Sequence, residues 1–305
     1  MQSSDMKRRL LAGSAIALGL LLSGCGGGGG TASTPPPTYT KLADLTGNRT
    51  FQSAGIHFTV PSGNRYSGFS IQKYGAGVTI AYNAANDSYA LTAPDGANET
   101  FSSSTSTPPA GFTPAPNQQA FFNSTNGNIS GFFTFGAPSV NGVPLSYTAV
   151  GAWLHLQSGV PSLYYAVAGI PTVASDMPRS GTANYQTSIA GSVDNGSGVQ
   201  MNLDPTSSAT FSANFGAGTV ATTIHVAGQQ NGLPPQDFGS FSGSGTIASG
   251  SPGFSGTLAP TASGAAAVNG EFAGAFFGPQ AKEMGYSWYL SGGSMNAEGF
   301  VTGTK

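Results

Sequence analysis

Residues 209–226 constrain the fold more than any other stretch of this chain. Ala209, Phe211, Ala213 and Phe215 alternate with Thr210, Ser212 and Asn214, and Val220, Thr222, Ile224 and Val226 alternate with Ala221, Thr223 and His225. An apolar residue at every second position is the period of a strand with one buried face. The same period recurs at Tyr185, Thr187 and Ile189 and at Val199, Met201 and Leu203. Further strand candidates run Phe238 to Ile247, Phe254 to Leu258, Val268 to Phe277, Tyr286 to Leu290 and Gly299 to Thr302. Eight or nine such strands at regular spacing predict an antiparallel meander closed into an up-and-down barrel. At eight strands a barrel interior is just filled by side chains, which suits an inward face of Phe mixed with Ala and Gly. Closure also removes the free edges through which charge-poor strands aggregate.

The first half of the chain reads as β too, less regularly. Ile56, Phe58 and Val60 alternate, as do Val78, Ile80 and Tyr82, and Tyr89 to Leu91 follows the Asn86-Asp87 turn. Phe132 to Phe135, Leu145 to Val150, Trp153 to Leu156 and Tyr164 to Val167 continue the pattern, with Gly, Pro, Asn and Asp between. Ser102 to Pro116 reads as a long loop, and Pro171 to Pro178 as a boundary. The expected fold is all-β: an antiparallel domain over residues 41–175, then a barrel over residues 176–305.

With 46 glycines and abundant Ser, Thr and Ala, disorder is the competing reading of the composition. The 19 Phe, 11 Tyr and 2 Trp, placed periodically, favour packed strands. Charge is sparse. Beyond residue 24 there are seven basic and eleven acidic residues, a net charge of −4, and the bases are scattered. No basic patch can form from them, which excludes nucleic-acid binding.

The N-terminus is an export signal. Lys7, Arg8 and Arg9 precede an apolar run from Leu10 to Leu22, too short to span a bilayer comfortably, and small residues follow. Leu22-Ser23-Gly24-Cys25 resembles the lipobox of bacterial lipoproteins, and Cys25 is the only cysteine. The resemblance implies a signal peptide over residues 1–24, cleavage between Gly24 and Cys25, and a covalent lipid on Cys25 that anchors the mature chain to a membrane. Gly26 rather than an acidic residue follows Cys25, which in such lipoproteins implies outer-membrane delivery. Residues 25–40 read as the lipidated Cys and a Gly/Pro tether, and the stretch from Cys25 to Thr38 reaches roughly 40 Å when stretched. A lipid anchor makes a membrane-spanning barrel redundant, and the alternation of Phe or Val with Thr, Ser and Asn, in strands under ten residues, also favours a soluble one.

The densest motif lies near the C-terminus: Gly270-Glu271-Phe272-Ala273-Gly274-Ala275-Phe276-Phe277-Gly278-Pro279-Gln280-Ala281-Lys282-Glu283-Met284-Gly285. Phe272 and Phe276 share a strand face with Gly270 and Gly274, whose missing side chains relieve crowding in a narrow barrel. Gly278-Pro279 stops the strand. Gln280 to Met284 reads as a helical turn or loop in which Glu283 faces solvent or fixes the loop, and Gly285 reopens a strand.

This run resembles the barrel signature of the transferrin-binding protein B-like family of bacterial surface lipoproteins; factor H binding protein carries a similar barrel. Met177 to Tyr185 resembles the family's opening barrel strand, and Leu145 to Trp153 the strand pair that ends its preceding handle domain. The resemblance implies a handle over residues 41–175 and a barrel over 176–305, lipid-tethered and surface-exposed. It also implies a binding module for a protein or small-molecule ligand, in iron or haem acquisition, with an outer-membrane receptor as a further partner. The alternative is an envelope lipoprotein without a dedicated ligand. Gly285-Tyr286 stands where the family often has paired glycines, and the chain has room for one handle–barrel lobe.

Catalytic constellations are missing from the sequence. His57, His155 and His225 fall on different strands, Glu271 and Glu283 make no convincing acid–base pair, and no P-loop, H-E-x-x-H or G-x-S-x-G occurs. The expectation is therefore no enzyme, no metal and no cofactor apart from the Cys25 lipid.

Overall fold

The computed structural model describes residues 35–60, 66–125, 128–157, 159–196, 198–230, 233–262, 268–293 and 295–305. Among them every regular element is a strand except two 3-10 turns, Leu42–Asp44 and Pro279–Ala281. No described helix is long and apolar enough to cross a membrane.

Two antiparallel sheets form the N-terminal half. The smaller contains β1 (Arg49–Phe51), β4 (Thr79–Asn83), β5 (Ser88–Thr92) and β6 (Asn98–Ser102) in the order β1-β4-β5-β6. The larger contains β2 (Ala54–Thr59), β3 (Ser67–Gln72), β7 (Gln118–Thr125), β8 (Asn128–Gly136), β11 (Thr148–Gln157) and β12 (Val160–Gly169), in the order β3-β2-β12-β11-β8-β7. A small hairpin, β9 (Ser139–Val140) and β10 (Val143–Pro144), links β8 to β11.

Both faces of the six-stranded sheet are covered. Tyr164, Ala166 and Ala168 of β12 join Trp153, Phe133 and Phe135 under the four-stranded sheet, with Ile80, Leu91 and Phe101 opposite. The alternate residues Leu163, Tyr165 and Val167 face the C-terminal half, where they meet Tyr289, Phe300 and Phe277. Successive side chains of a strand point to opposite faces, so a doubly covered strand reads as an unbroken apolar run, as Leu163 to Ala168 does.

The C-terminal half is a barrel. Its strands are β13 (Thr182–Asp194), β14 (Gln200–Leu203), β15 (Ser208–Asn214), β16 (Thr219–Gln229), β17 (Gln236–Ile247), β18 (Gly253–Pro260), β19 (Asn269–Phe277), β20 (Glu283–Gly292) and β21 (Met295–Thr304). Neighbours pair antiparallel, and β21 closes on β13 from Gln186↔Thr304 to Asp194↔Asn296. β14 and β15 are one wall strand interrupted at Asp204–Ser207, because both pair with β13 and with β16. The wall thus has eight positions. Its interior is plugged by Phe211, Phe254, Phe272, Phe276, Tyr286 and Trp288, with Phe254 5.0 Å from both Phe211 and Phe276. Gly256 makes room for this packing: a Cβ there would lie 2.7 Å from the Phe272 ring.

Three features differ from the sequence expectation. β13, β16 and β17 run 13, 11 and 12 residues, longer than the alternation indicated, because glycine and serine interrupt the pattern without interrupting the ladder. The exposed wall face still carries Thr210, Ser242, Ser244 and Thr257 rather than a continuous apolar band. β20 opens at Glu283, not Gly285, since Glu283 pairs with Phe277 on one side and Thr304 on the other. Leu145 to Tyr147 is not strand: β11 begins at Thr148, where pairing with Gly169 starts.

Candidate functional site: the handle–barrel junction

The C-terminal motif lies where the two halves meet. Phe272 and Phe276 point into the barrel, whereas Phe277 points out and packs with Tyr147, Val150 and Val167 of the preceding domain. At Gly270 and Gly274 an added Cβ would lie 2.0 Å from the Tyr289 carbonyl oxygen and 2.1 Å from that of Gly285, so the neighbouring strand's backbone forbids a side chain there. Gly278 turns the chain at φ +70° with the Tyr147 ring pressed against it, a conformation suited to glycine. Its N–H donates to Ile170 O at 2.9 Å, and its carbonyl accepts from Thr172 Oγ1 at 2.6 Å. Pro279 starts the short 3-10 turn that follows.

Glu283 completes the joint. It is 2 % exposed, and its carboxylate accepts the backbone N–H groups of Ser146, Tyr147 and Thr148 at 2.8, 2.9 and 2.9 Å and the Thr148 hydroxyl at 3.0 Å. Of the two roles expected, Glu283 takes loop fixation, and the loop it fixes belongs to the other domain. The carboxylate supplies the hydrogen bonds that Ser146 to Thr148 lack before the ladder begins. Glu271 instead accepts from Tyr289 Oη at 2.7 Å, six ladder rows or about 20 Å away. The two acids form no pair.

A second latch lies at the N-terminal side. Asp176 accepts from Tyr39 Oη at 2.9 Å and from the Gln280 N–H at 2.9 Å, and Tyr39 Oη accepts from the Val173 N–H at 3.0 Å. Tyr39, which the sequence assigned to the tether, is therefore held against the folded part.

Between the outer barrel wall and the six-stranded sheet runs a cleft of about 410 Å³, bordered by Tyr165, Phe300, Gln200, Ser188 and Thr302. Beside it lies a buried polar cluster. Ser192 donates to Glu298, receives Gln200 Nε2 at 3.2 Å and lies 3.1 Å from Tyr66 Oη. Glu298 is fully buried, and that burial, reinforced by the charge of Asp194, holds its carboxyl well above the usual range against the opposing Ser192 bond. A raised pKa favours the protonated carboxyl, and in that form Glu298 is a weaker base toward the Ser192 hydroxyl.

The structure brings together two of the three histidines. His57 on β2 and His155 on β11 share one face, joined by a ring stack: His57 on Tyr164 at 4.5 Å and Tyr164 on Trp153 at 4.7 Å. Glu99 accepts from Trp153 Nε1 at 2.8 Å and from Asn123 Nδ2 at 2.8 Å and lies 3.0 Å from His155 Nδ1. Asp95 accepts from Tyr164 Oη at 2.7 Å. Burial lowers the His57 pKa, with Asp95 opposing. Sequence reasoning missed the cluster because its register depends on β12 lying between β2 and β11. His225 stands apart on β16 near Ser240. Among the described residues no three ligating side chains gather as a metal site. Gly24 and Cys25 lie outside the described residues.

One end of the six-stranded sheet exposes three apolar side chains among the described residues. Ile129 near the start of β8, Leu156 near the end of β11 and Val160 at the start of β12 are 42 %, 37 % and 43 % exposed. This is the end opposite the Ser146–Thr148 segment held by Glu283.

No curated protein sequence matches the chain. Solved structures similar to it include a double mutant of transferrin-binding protein B from Haemophilus parasuis, at 19 % identity and TM-score 0.43 over 86 % of this chain and 45 % of that one. The isotype 1 transferrin-binding protein B of serogroup B Neisseria meningitidis gives 14 % identity and TM-score 0.42 over 82 % and 63 %. The N-lobe of lactoferrin-binding protein B from Moraxella bovis gives 11 % identity and TM-score 0.32 over 84 % and 99 %. The chain thus spans about half the length of the first of these. Residues 177–304 match the family described as the C-lobe and N-lobe beta barrels of transferrin-binding protein B. By that match over residues 177–304, and with its eight-position wall, the C-terminal part of the chain is a transferrin-binding protein B-like barrel.

Proposed function

We propose that the protein is an outer-membrane lipoprotein, tethered through the Cys25 lipid and exposed at the cell surface, that acts as a binding module for a macromolecular partner. The observation that supports this reading is the uncovered Ile129, Leu156 and Val160 at the end of a sheet whose two faces are already buried. These apolar side chains lie at one end of the sheet, Leu156 on one face and Val160 on the other, and we take that end as the interaction surface. The joint at Glu283 holds that sheet on the barrel, so partner capture needs no rearrangement of the two halves. The proteins that it resembles are named for transferrin and lactoferrin, which makes an iron-carrying protein the first partner class to test.

The test uses intact cells grown under iron limitation. Protease should remove the folded part from the outside, and the full-length protein should capture a discrete partner that a Leu156→Asp/Val160→Asp variant does not. Protection from external protease together with no capture would contradict the reading.

A further inference from the structure

The barrel wall is open at one place. On one edge β13 pairs with β21 from Gln186 to Asp194. On its other edge it meets β15 only over Thr182–Tyr185 and β14 only over Ser192–Asp194, leaving Gln186–Gly191 without a ladder partner there, bridged only by the Thr187 hydroxyl donating to the Ala209 carbonyl. The interrupted strand explains the gap. From Asn202, opposite Ser192, to Phe211, opposite Tyr185, it advances nine residues where β13 advances seven. Asp204 Oδ1 accepts the Thr206 N–H at 2.8 Å and its hydroxyl at 2.7 Å, closing a turn around Pro205, which has no N–H to give the ladder. Ser207 Oγ accepts from the Ala227 N–H at 3.0 Å and donates to Ala227 O at 2.8 Å, drawing the loop toward β16.

The parted wall leaves a groove of about 570 Å³ between Thr187–Gly191 and Asn202–Ala209. Ser188, Ile189, Ala190, Gly191 and Asn202 also border the 410 Å³ cleft against the six-stranded sheet, so the two spaces adjoin along β13. Their chemistry is uncharged. Neither is bordered by Lys, Arg, His or Glu, and the one acid, Asp204, is committed to its own turn. The Gln118 and Asn202 amides and the Ser188 hydroxyl make no side-chain hydrogen bond among the described residues. The half-buried Phe300 ring, stacked on Tyr165 at 4.8 Å, offers a flat apolar surface beside them.

A charged ligand would find no counter-ion here, and an apolar one would leave the amides, hydroxyls and unpaired β13 backbone unsatisfied. A pyranose presents hydroxyls at its rim and C–H groups on its face, matching amide donors and acceptors and an aromatic plane. We propose that the wall opening and the cleft together bind a neutral oligosaccharide. This site is independent of the partner surface at the handle's end.

The test is calorimetric titration of the full-length protein in detergent with maltotriose and triacetylchitotriose as neutral probes and a sulfated chondroitin disaccharide as the charged comparison. At least one neutral probe should bind saturably. Asn202→Ala should weaken that binding about tenfold, the loss of one well-made polar contact. Ala190→Trp fills the groove from an exposed position and should abolish binding at an unchanged melting temperature. No saturable heat from either neutral probe, undiminished binding in Ala190→Trp, or tighter binding of the sulfated disaccharide would overturn the proposal. Capture of asialofetuin, lost after enzymatic deglycosylation, would place the sugar on a glycoprotein; binding of the free trisaccharides without that capture would make it a free saccharide.

Discussion

Glu283 of the barrel accepts both the backbone N–H and the side-chain hydroxyl of Thr148, the first residue of β11, at 2.9 and 3.0 Å. With the N–H groups of Ser146 and Tyr147, four donors of one domain converge on one carboxylate of the other. Glu283→Ala strands those donors in a buried joint, at about 1–3 kcal/mol for each that water does not reach. Urea unfolding followed by Trp fluorescence should show a large stability loss and a broader or split transition, as the handle uncouples from the barrel. Glu283→Gln, which keeps one acceptor oxygen, should fall between the two.

Glu298 predicts a pH dependence with a definite sign. Burial raises its native-state pKa above the ordinary carboxylate value, so the folded state holds a proton that the unfolded state releases once pH passes about 4.5. The stability associated with this group is fully present at acid pH and declines as pH rises from there toward the raised value. Glu298→Gln, neutral at every pH, should remove that decline. Melting temperatures of wild type and variant should converge near pH 4 and separate at neutral pH, with the variant higher. Asp194, Tyr66 and Tyr165 also face this carboxyl, so Asp194→Asn should reduce the slope without abolishing it.

Gly274 tests the close packing of the barrel wall. A Cβ there would approach the Gly285 carbonyl oxygen to 2.1 Å and the Tyr286 Cα to 2.7 Å, backbone atoms that cannot rotate away. Gly274→Val should lower stability by about 1–3 kcal/mol or more through overpacking. An unchanged melting temperature would mean the strand has room that these distances deny.

Under the proposed lipid anchor, in which a single acylated sulfur would hold the chain, Cys25→Ser should release the protein from the membrane fraction. Fractionation checks this directly, and retention of the variant would contradict the lipobox reading.

The barrel was the more legible half. Ala209 to Val226 alternates cleanly because one face of β15 and β16 packs inward and the other meets solvent. In the N-terminal half, β12 faces apolar neighbours on both sides, which erases the period, and β3, β6 and β7 carry little strand signal because Ser, Thr, Asn and Gln dominate them. Motif residues Phe272 and Phe276 were legible by parity. The partner of Glu283 was not, since Ser146 to Thr148 lies 135 to 137 residues away and nothing local announces it. The β13 opening depends on a two-residue register change that only the pairing reveals.

The binding role is tested most directly by placing a photo-crosslinking amino acid at Leu156 in living cells under iron limitation. That position should yield one discrete, externally protease-sensitive adduct, and the solvent-facing wall position Ser244 none. No adduct from Leu156, or the same adduct from both positions, would contradict that role.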